Sequence, residues 1–460
     1  MEQSKQLGEL KIGQLIWKFS VPAIVGMLVN ALYNVVDRIF VGNGVGSVAL
    51  AGITIEFPIS LIVMAFTMLI GLGASTLISI RLGQGKAKEA EEIMGNAVVL
   101  MLIIGVVITV LGLVFLEPLV RAMGADPEVM PYALDYTGYI LAGTIFFVYG
   151  MGANHFIRAE GNPKTAMLTM FIGAITNIIL DPLFIYGFGW GIKGAAIATV
   201  IAKAVSALWI FYYFLGGRGQ LKLVLSKIRL QGHLIWAIVS IGVGPFAMQL
   251  AASLLNIILN NTLGAHGGNL ALSAMGIVSS ISTLLFMPIF GLNQGLQPIV
   301  GYNYGAKKYQ RVKEALLKGM AAGTLISILG YLLITLFPNQ LVGLFNKEDR
   351  ELIALGSKAL RIFLFALPIV GAQIIGSSYF QAIGKPVRAA LLSLSRQVLL
   401  LIPAILILPR FFGLNGVFYA GPLADTGAAL ITGTMVWLEL RKLGKIPYAL
   451  SDPLAVGSAD

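Results

Sequence analysis

Two aspartates lie inside long apolar stretches of the chain, Asp37 in VNALYNVVDRIFVG and Asp181 in TNIILDPLFIYG. Insertion scales put the cost of a carboxylate at the centre of a membrane at roughly 2.5–3.5 kcal/mol, so such a group is kept where it faces a protein interior or a water-filled cavity. A carboxyl group in that position can exchange a proton or bind a hard cation. The two aspartates are therefore the first candidates for function.

Amide and hydroxyl side chains accompany the aspartates on the predicted helices. Asn177 precedes Asp181 by four residues and shares its helix face, and Asn34 is placed similarly with respect to Asp37. Thr199 lies about two turns from the outer end of the following span, so the rise of the helix puts it at a similar depth. Carboxyl, amide and hydroxyl oxygens together suit a proton or Na⁺. Asp37, Asn177, Asp181 and Thr199 could therefore form one oxygen-rich pocket for a proton or a cation.

Simpler roles are open for each acid. Asp37 is followed by Arg38 and could form an ion pair at the membrane boundary. Asp181 precedes Pro182 and could cap a kinked helix. Glu56, in the segment TIEFP, is interpreted as a helix-end residue.

The chain has the composition of an integral membrane protein. Of its 460 residues, 57% are hydrophobic and 12% are charged, whereas soluble domains carry about 25% charged residues. Cysteine is absent and the three histidines are scattered, which excludes disulfides and a zinc site with the usual spacing. No Ser/His/Asp set shares one depth. We therefore expect no enzyme activity and no cofactor other than a coupling ion.

Apolar segments predict an all-α fold with twelve transmembrane helices. Lysine and arginine concentrate in alternate loops, so the positive-inside rule predicts a multi-pass protein of the cell inner membrane with both termini in the cytoplasm. The net charge of +11 follows from these loops and does not indicate a nucleic-acid partner. The predicted spans are 12–40, 48–80, 93–116, 131–157, 165–188, 192–216, 233–263, 271–302, 313–338, 353–382, 388–409 and 414–441.

The two halves of the chain resemble each other at a separation of about 222 residues. LGQGKAKEAEEIM (82–94) aligns with YGAKKYQRVKEAL (304–316), and RAEGNPKTA (158–166) aligns with QAIGKPVRA (381–389). Parallel repeats of this kind build transporters whose substrate path runs between two lobes. We predict two pseudo-symmetric six-helix lobes, namely an N-terminal lobe (1–216), a cytoplasmic linker (217–232), a C-terminal lobe (233–445) and a tail (446–460).

The second half lacks a counterpart of the two aspartates. The apolar segment LLIPAIL stands where Asp181 aligns, and Asp425 in the twelfth span aligns with Lys203 in the sixth. The roles of Lys203, Arg396 and Asp425 are open between lobe packing and cavity polarity. The oxygen-rich pocket is therefore predicted in the first lobe alone.

These features resemble the multidrug and toxic compound extrusion (MATE) transporters over nearly the whole chain. The shared motifs are D-R-I-F-V-G at the end of the first span, R-A-E-G-N-P after the fourth and N-x-x-x-D-P in the fifth. The resemblance implies secondary active export of amphipathic, often cationic, compounds in antiport with H⁺ or Na⁺, with the first-lobe pocket as the coupling site. The seventh and tenth spans lack interior acids, so the chain looks more like the DinF-type branch than the NorM-type.

The predicted drug contacts are methionine, aromatic and amide side chains, which adapt to varied apolar cations. Each of them could equally belong to ordinary lobe packing. Bending of the first span near Pro22 and Gly26 is predicted to link ion binding to drug release. We expect a monomer whose partners are the bilayer and small amphipathic cations. The contacts are Met27, Asn30, Tyr33, Asn34, Tyr139, Asn154, Met248 and Gln249.

Two other functions are open from the sequence. A flippase for a lipid-linked cell-envelope precursor could share the two-lobe plan, but it needs a cationic cavity for pyrophosphate. Lys203 and Arg396 are the main interior cations, and they make a weak phosphate clamp. A channel would differ from both transporters by showing conductance without counter-transport.

Overall fold

The computed structural model describes residues 2–224, 230–345 and 349–443, and every regular element in these ranges is helical. The predicted tail, 446–460, lies outside the described residues, as does a part of the predicted linker, 225–229. The helices are α1 (Glu2–Glu9), α2 (Ile12–Gly44), α3 (Ser47–Gly83), α4 (Ala87–Val114), α5 (Leu116–Ala122), α6 (Met130–Ala142), α7 (Thr144–Ala159), α8 (Pro163–Pro182), α9 (Gly191–Leu215), α10 (Gly232–Gly305), α11 (Tyr309–Leu336), α12 (Pro338–Gly343), α13 (Arg350–Phe363), α14 (Leu367–Ala382), α15 (Pro386–Leu394), α16 (Ile402–Ile407), α17 (Pro409–Phe412) and α18 (Leu414–Leu443), with π-helical turns at Leu183–Gly187 and Ser395–Leu401.

The long helices follow the predicted spans. In the described residues, eight helices are long and apolar enough to cross a membrane, or up to ten when each bent pair counts as one span. The 74-residue helix α10 covers two predicted spans, 233–263 and 271–302, which meet at Gly268. Gly268 has φ 60° and ψ −156°, a backbone conformation that glycine adopts readily and other residues avoid. Helix α18 covers the twelfth predicted span.

Two predicted spans are bent rather than straight. Helices α6 and α7 meet at 53°, and α13 and α14 meet at 50°, at corresponding places in the two halves of the chain. Gly143 lies at the first bend, where an added Cβ would stand 2.6 Å from Cγ2 of Val200 on α9. Glycine therefore lets the bend pack closely against α9.

Contacts divide the chain into two compact units. Unit 1 comprises Met1–Glu9 and Val25–Gln249, and unit 2 comprises Leu10–Ile24 and Leu250–Asp460. The start of α2 thus belongs with the second half of the chain, and the start of α10 belongs with the first half. The predicted lobe and linker boundaries were drawn from the spans, and they stay a prediction.

Each unit contains a close helix crossing at the equivalent position. In unit 1, an added Cβ on Gly73 of α3 would lie 2.2 Å from the carbonyl oxygen of Ile238 at the start of α10. In unit 2, an added Cβ on Gly295 would lie 2.8 Å from Cα of Ser20 at the start of α2. Because 295 − 73 = 222, these glycines occupy equivalent positions of the repeat. Both backbones can approach closely only because no side chain intervenes.

Candidate functional site

The four predicted coupling residues lie together in unit 1, on α2, α8 and α9. All four are buried, and Asp37 is 7% and Asp181 0% exposed. The carboxyl groups of Asp37 and Asp181 lie close enough to interact electrostatically with each other. Two ionised carboxylates repel each other at such a buried site, so a proton on one of them, or a cation bound by both, favours this arrangement. The pair therefore accommodates a shared proton.

Asn177 connects Asp181 to Thr199. Its Nδ2 donates to Asp181 Oδ1 at 3.1 Å and to Thr199 Oγ1 at 3.3 Å. The four-residue spacing on α8 allows the first bond, and the packing of α8 against α9 allows the second. Because the amide nitrogen carries two hydrogens, both bonds can form at once.

Three buried oxygens of the cluster have no hydrogen-bond donor among the described residues: Asp37 Oδ1, Asn177 Oδ1 and Asp181 Oδ2. Buried acceptors without donors are rare, and each calls for a proton, a water or an ion. Carboxylate and amide oxygens also suit hard cations. The donor set thus fits a proton or Na⁺. The described ranges contain no group of three or more His, Cys, Asp or Glu side chains that could hold a metal ion, and the oxygens of this cluster come from acid, amide and hydroxyl groups together.

The end of α8 positions Asp181. Helix α8 ends at Pro182, whose missing N–H interrupts the α-helical hydrogen bonds, and the π-helical turn Leu183–Gly187 follows. This turn packs against α9, where an added Cβ on Gly194 would lie 2.9 Å from the Phe184 carbonyl oxygen. Glycine at this position brings α9 close to the end of α8.

Neither simpler role of the aspartates matches the described structure. Arg38 is exposed, and no ion pair joins it to Asp37 within the described residues. The turn that follows Pro182 has no side-chain cap. Asp181 instead accepts a hydrogen bond from Asn177 and interacts electrostatically with Asp37.

Two charged residues near the pair were missed as site residues in the sequence. Glu56 was interpreted as a helix-end residue, and that interpretation is wrong, because α3 continues from Ser47 through Pro58 to Gly83. Its side chain is 6% exposed and accepts a hydrogen bond from the Ser60 hydroxyl. Lys203 interacts electrostatically with Glu56 and Asp37, and its Nζ lies 4.6 Å from the centre of the Phe147 ring.

The spacing of Lys203 contained a usable signal. Lys203 follows Thr199 by four residues on α9 and therefore lies on the same helix face. Glu56 gave no such signal, because nothing in the sequence shows that α3 packs beside this part of α2. The site thus combines three acids with one internal lysine, so much of its charge is balanced within unit 1.

The predicted drug contacts all belong to unit 1, but they differ in environment. Asn30, Asn34 and Tyr139 are exposed, whereas Met27, Tyr33, Met248 and Gln249 are half-buried. Tyr33 interacts electrostatically with Asp37. Asn154 is 4% exposed, and its amide donates to the Ala166 carbonyl at 2.9 Å and accepts from Arg158. Protein groups thus occupy both ends of the Asn154 amide, and its role as a drug contact stays a prediction.

Unit 2 carries an ion pair in the corresponding pair of spans. Nε of Arg396, on the π-helical turn Ser395–Leu401, donates to Oδ1 of Asp425 on α18. Asp425 aligns with Lys203 of unit 1, since 425 − 203 = 222, so the two positions carry opposite charges. The sequence predicted no acid pair in the second half. The structure has an ion pair in these spans of unit 2, in which acid and base neutralise each other.

Comparison with known proteins assigns the family. The MatE family matches the chain twice, over residues 22–183 and 245–406. The chain belongs to the MATE family. The two matches begin 223 residues apart, since 245 − 22 = 223, which agrees with the repeat seen in the sequence. This chain is thus a multi-pass membrane transporter, and its relatives are transporters rather than enzymes.

Curated relatives and solved structures cover nearly the whole chain. The multidrug export protein MepA of Staphylococcus haemolyticus is 26% identical over 95% of this chain and 96% of its own length. The FAD transporter of Shewanella oneidensis is 28% identical, with coverages of 90% and 92%. The MATE multidrug transporter DinF-BH, solved in complex with rhodamine 6G, is 41% identical, with a TM-score of 0.89 and coverages of 95% and 97%.

An archaeal structure shows the same fold. The MOP superfamily transporter from Pyrococcus furiosus is 28% identical to this chain, with a TM-score of 0.91, and the match covers 97% of this chain and 99% of that one. Structures of the MATE family have twelve transmembrane helices in two lobes. The predicted fold class is therefore confirmed.

Proposed function

We propose that this MATE transporter exports amphipathic, cationic compounds from the cytoplasm in exchange for protons that bind the Asp37–Asp181 pair. The observation that carries the proposal is the closeness of two buried carboxyl groups, whose mutual repulsion a shared proton relieves. Na⁺ bound by the same four side chains is the alternative coupling ion. The names of the MepA relatives and the rhodamine 6G complex of DinF-BH support the substrate class.

The DinF-like assignment is part of the proposal. It is supported by the 41% identity to DinF-BH and by the lack of interior acids in the seventh and tenth spans. Coupling in this chain then depends on unit 1. We further propose that the protein acts as a monomer in the cell inner membrane, with both termini in the cytoplasm, as the loop charges indicate.

Helix α2 is proposed to transmit the effect of protonation. Pro22 lies inside α2, and the contact units change within this helix between Ile24 and Val25. A proline inside a helix lacks one hydrogen bond and makes bending easier. Protonation of Asp37, farther along the same helix, changes the charge that α2 presents to α8. Proton and drug then need only stabilise different conformations, or compete for the same one, to be coupled.

The flippase alternative has less support, because the interior cation of each unit is already paired with acids. Lys203 is balanced by Glu56 and Asp37, and Arg396 is paired with Asp425. A pyrophosphate group carries several negative charges and needs a cluster of unneutralised cations. Neither interior cation belongs to such a cluster.

Reconstituted protein tests the proposed exporter. Proteoliposomes are loaded so that a pH gradient or a Na⁺ gradient can be imposed separately, and uptake of rhodamine 6G is followed by fluorescence. The parent protein should move the dye under the pH gradient, and D37N and D181N should not. Equal transport by both variants and the parent would remove the coupling site. Dye movement under the Na⁺ gradient alone would assign Na⁺ as the ion, and no movement under either gradient would favour a lipid substrate.

A further inference from the structure

We infer that unit 2 holds a second binding site, in which the Arg396 guanidinium takes the carboxylate of a zwitterionic amphipathic substrate. The inference rests on the proposed export function and extends the substrate class. The site would accept compounds that carry an anionic group beside their cationic one.

The guanidinium of Arg396 is only partly engaged by the protein. Its Nε donates to Asp425 Oδ1, and no other described residue accepts a hydrogen bond from it. An arginine side chain has five N–H donors in a fixed fork, so the four donors on Nη1 and Nη2 are left for another acceptor. The Asp425 side chain is 2% exposed and the Arg396 side chain is 23% exposed. The arginine side chain is thus more accessible than the acid with which it pairs.

The depth of Arg396 excludes a lipid headgroup as the natural acceptor. Within the run Pro386–Phe412, Arg396 stands ten residues from the start and sixteen from the end, since 396 − 386 = 10 and 412 − 396 = 16. At 1.5 Å per residue, the distances along the helix are about 15 and 24 Å. Unpaired N–H groups at that depth are costly in hydrocarbon. The accessible fork is therefore expected to face a water-filled cavity that a substrate can enter.

The backbone around Arg396 is also unusual. Arg396 lies in the π-helical turn Ser395–Leu401, and π-helical turns inside helices are frequently found at functional sites. The next residue, Gln397, has a buried Oε1 without a donor among the described residues. Gln397 follows Arg396 directly and points to another side of the helix, so its buried oxygen is separate from the guanidinium fork.

The charge of the site favours a carboxylate. Asp425 already balances the single positive charge of Arg396, so the pair is neutral overall. The negative charges of a phosphate group would not be neutralised at this site. A carboxylate adds only one negative charge and can accept two parallel hydrogen bonds from the guanidinium fork. A substrate with its own cationic group adds no net charge to the site.

Two dyes that differ by one methyl group test this inference. Rhodamine 110 carries a free carboxylate, and rhodamine 123 is its methyl ester and lacks the anionic charge. Binding of each dye to the purified full-length protein in detergent is measured by fluorescence anisotropy. R396Q should weaken rhodamine 110 about tenfold or more, because a charge-assisted bond is lost, and should leave rhodamine 123 within about twofold. R396K should give an intermediate loss, since lysine keeps the charge without the fork.

Asp425→Asn is the matched control. It breaks the same ion pair, but it leaves the guanidinium free of its competing carboxylate, so rhodamine 110 should bind at least as tightly as to the parent. If the pair were only structural, R396Q and D425N would affect both dyes alike. That result would overturn the inference, and so would parental rhodamine 110 affinity in R396Q. Displacement of rhodamine 110 by phosphatidylglycerol would also overturn it, because the fork would then be a lipid site.

The outcome separates this inference from the proposed function. Should the parent bind neither dye, the proposed multidrug function fails. If the parent binds both dyes, and R396Q and R396K bind both dyes with the affinity of the parent, only the inferred carboxylate site is disproved. Retained rhodamine 123 affinity shows that each variant is folded.

Discussion

At the scale of single residues, the candidate site is a small charged cluster within one unit, in which one lysine offsets part of the charge of three acids. Asp37, Asp181 and Glu56 are buried, the half-buried Lys203 interacts with Asp37 and Glu56, and Asn177 connects Asp181 to a neighbouring helix. A proton added to the pair of aspartates therefore changes the net charge of this cluster of side chains. Such a change acts strongly because water does not screen it.

Thr199 is expected to support the pair through Asn177. Thr199→Val removes the oxygen that accepts from Asn177 Nδ2 at 3.3 Å, so the amide is freed to rotate away from Asp181. We expect dye transport to fall about threefold to tenfold, which corresponds to the roughly 1 kcal/mol of one hydrogen bond. Transport in proteoliposomes measures the effect.

Thr176→Val is the control for the threonine substitution. Its Oγ1 donates only to the Ile172 carbonyl of its own helix, at 2.7 Å, and it is the residue next to Asn177. Transport by this variant should match the parent. Equal losses in T176V and T199V would show that the threonine hydroxyls of this region matter for packing rather than for the site.

Lys203 and Glu56 are expected to depend on each other. Lys203→Met leaves Glu56 and Asp37 without their internal cation, so the variant should transport poorly and unfold at a lower temperature. Adding Glu56→Gln removes one of the stranded charges and should restore part of both properties. The double-mutant cycle should show a coupling of at least about 0.5 kcal/mol. Additive effects would contradict the charge balance, and K203R, which keeps the charge, is the control.

The sequence predicted the aspartates of this cluster but only part of their surroundings. Asp37 and Asp181 stood out because isolated acids in apolar spans are costly, and Asn177 followed from helical spacing. Glu56 was assigned to a helix end, because TIEFP contains a proline and a proline often ends a helix. The packing of α3 beside α2 joins residues far apart in sequence, and periodicity within one helix carries no information on it.

At the scale of helices, two long helices change contact unit shortly after a proline. Pro22 precedes the change at Ile24–Val25 in α2, and Pro245 precedes the change at Gln249–Leu250 in α10. These prolines are 223 residues apart and begin the two MatE matches. The hinge predicted near Pro22 thus has an equivalent in the second half, which hydropathy alone did not indicate.

Pro22→Ala tests whether α2 must bend. Alanine restores the N–H that proline lacks and removes the clash of its ring with the preceding turn, effects worth about 3 kcal/mol in a helix interior. We expect a higher melting temperature together with slower dye transport, because the straight helix is favoured. Pro422→Ala, in the interior of α18 and within unit 2, should leave transport of a cationic dye unchanged. Parental transport by P22A would contradict the hinge.

Glu160 connects the end of α7 to the segment after α9. It is 0% exposed and accepts hydrogen bonds from the Tyr213 hydroxyl and from the backbone N–H groups of Gln220, at 2.9 Å, and Leu221, at 3.0 Å. Burial raises the pKa of Glu160 from 4.5 to about 7, although the Leu221 N–H bond opposes the shift. The folded protein therefore holds this proton more tightly than the unfolded chain does.

Stability should fall as the pH rises through this range. A raised pKa gives a stabilisation that is complete below about pH 4.5 and lost as the pH passes about 7, with a total of about 3 kcal/mol. Melting temperatures measured in detergent from pH 5 to pH 8 should decrease for the parent and stay flatter for E160Q. The exposed Glu128→Gln variant should follow the parent. The same pH dependence in E160Q and in the parent would show that other groups cause it.

At the scale of the whole molecule, the chain consists of two repeats that differ in their interior charged residues. The helix crossings at Gly73 and Gly295 and the two MatE matches are repeated, whereas the acid pair is found in unit 1 and the Arg396–Asp425 ion pair in unit 2. The sequence predicted the repeat and the asymmetry, because both are patterns along the chain. It did not predict that the first helix of each half begins in the other unit, since such an exchange depends on contacts between distant segments.

The most direct test of the central claim is the release of protons when drug binds. A cationic dye such as rhodamine 6G is added to purified protein in weakly buffered detergent solution, and the pH change is recorded with a soluble indicator. The account predicts that the parent releases about one proton for each dye bound, and that D37N and D181N bind dye without release. Dye binding without proton release by the parent, or the same release from both variants, would contradict a proton held between Asp37 and Asp181.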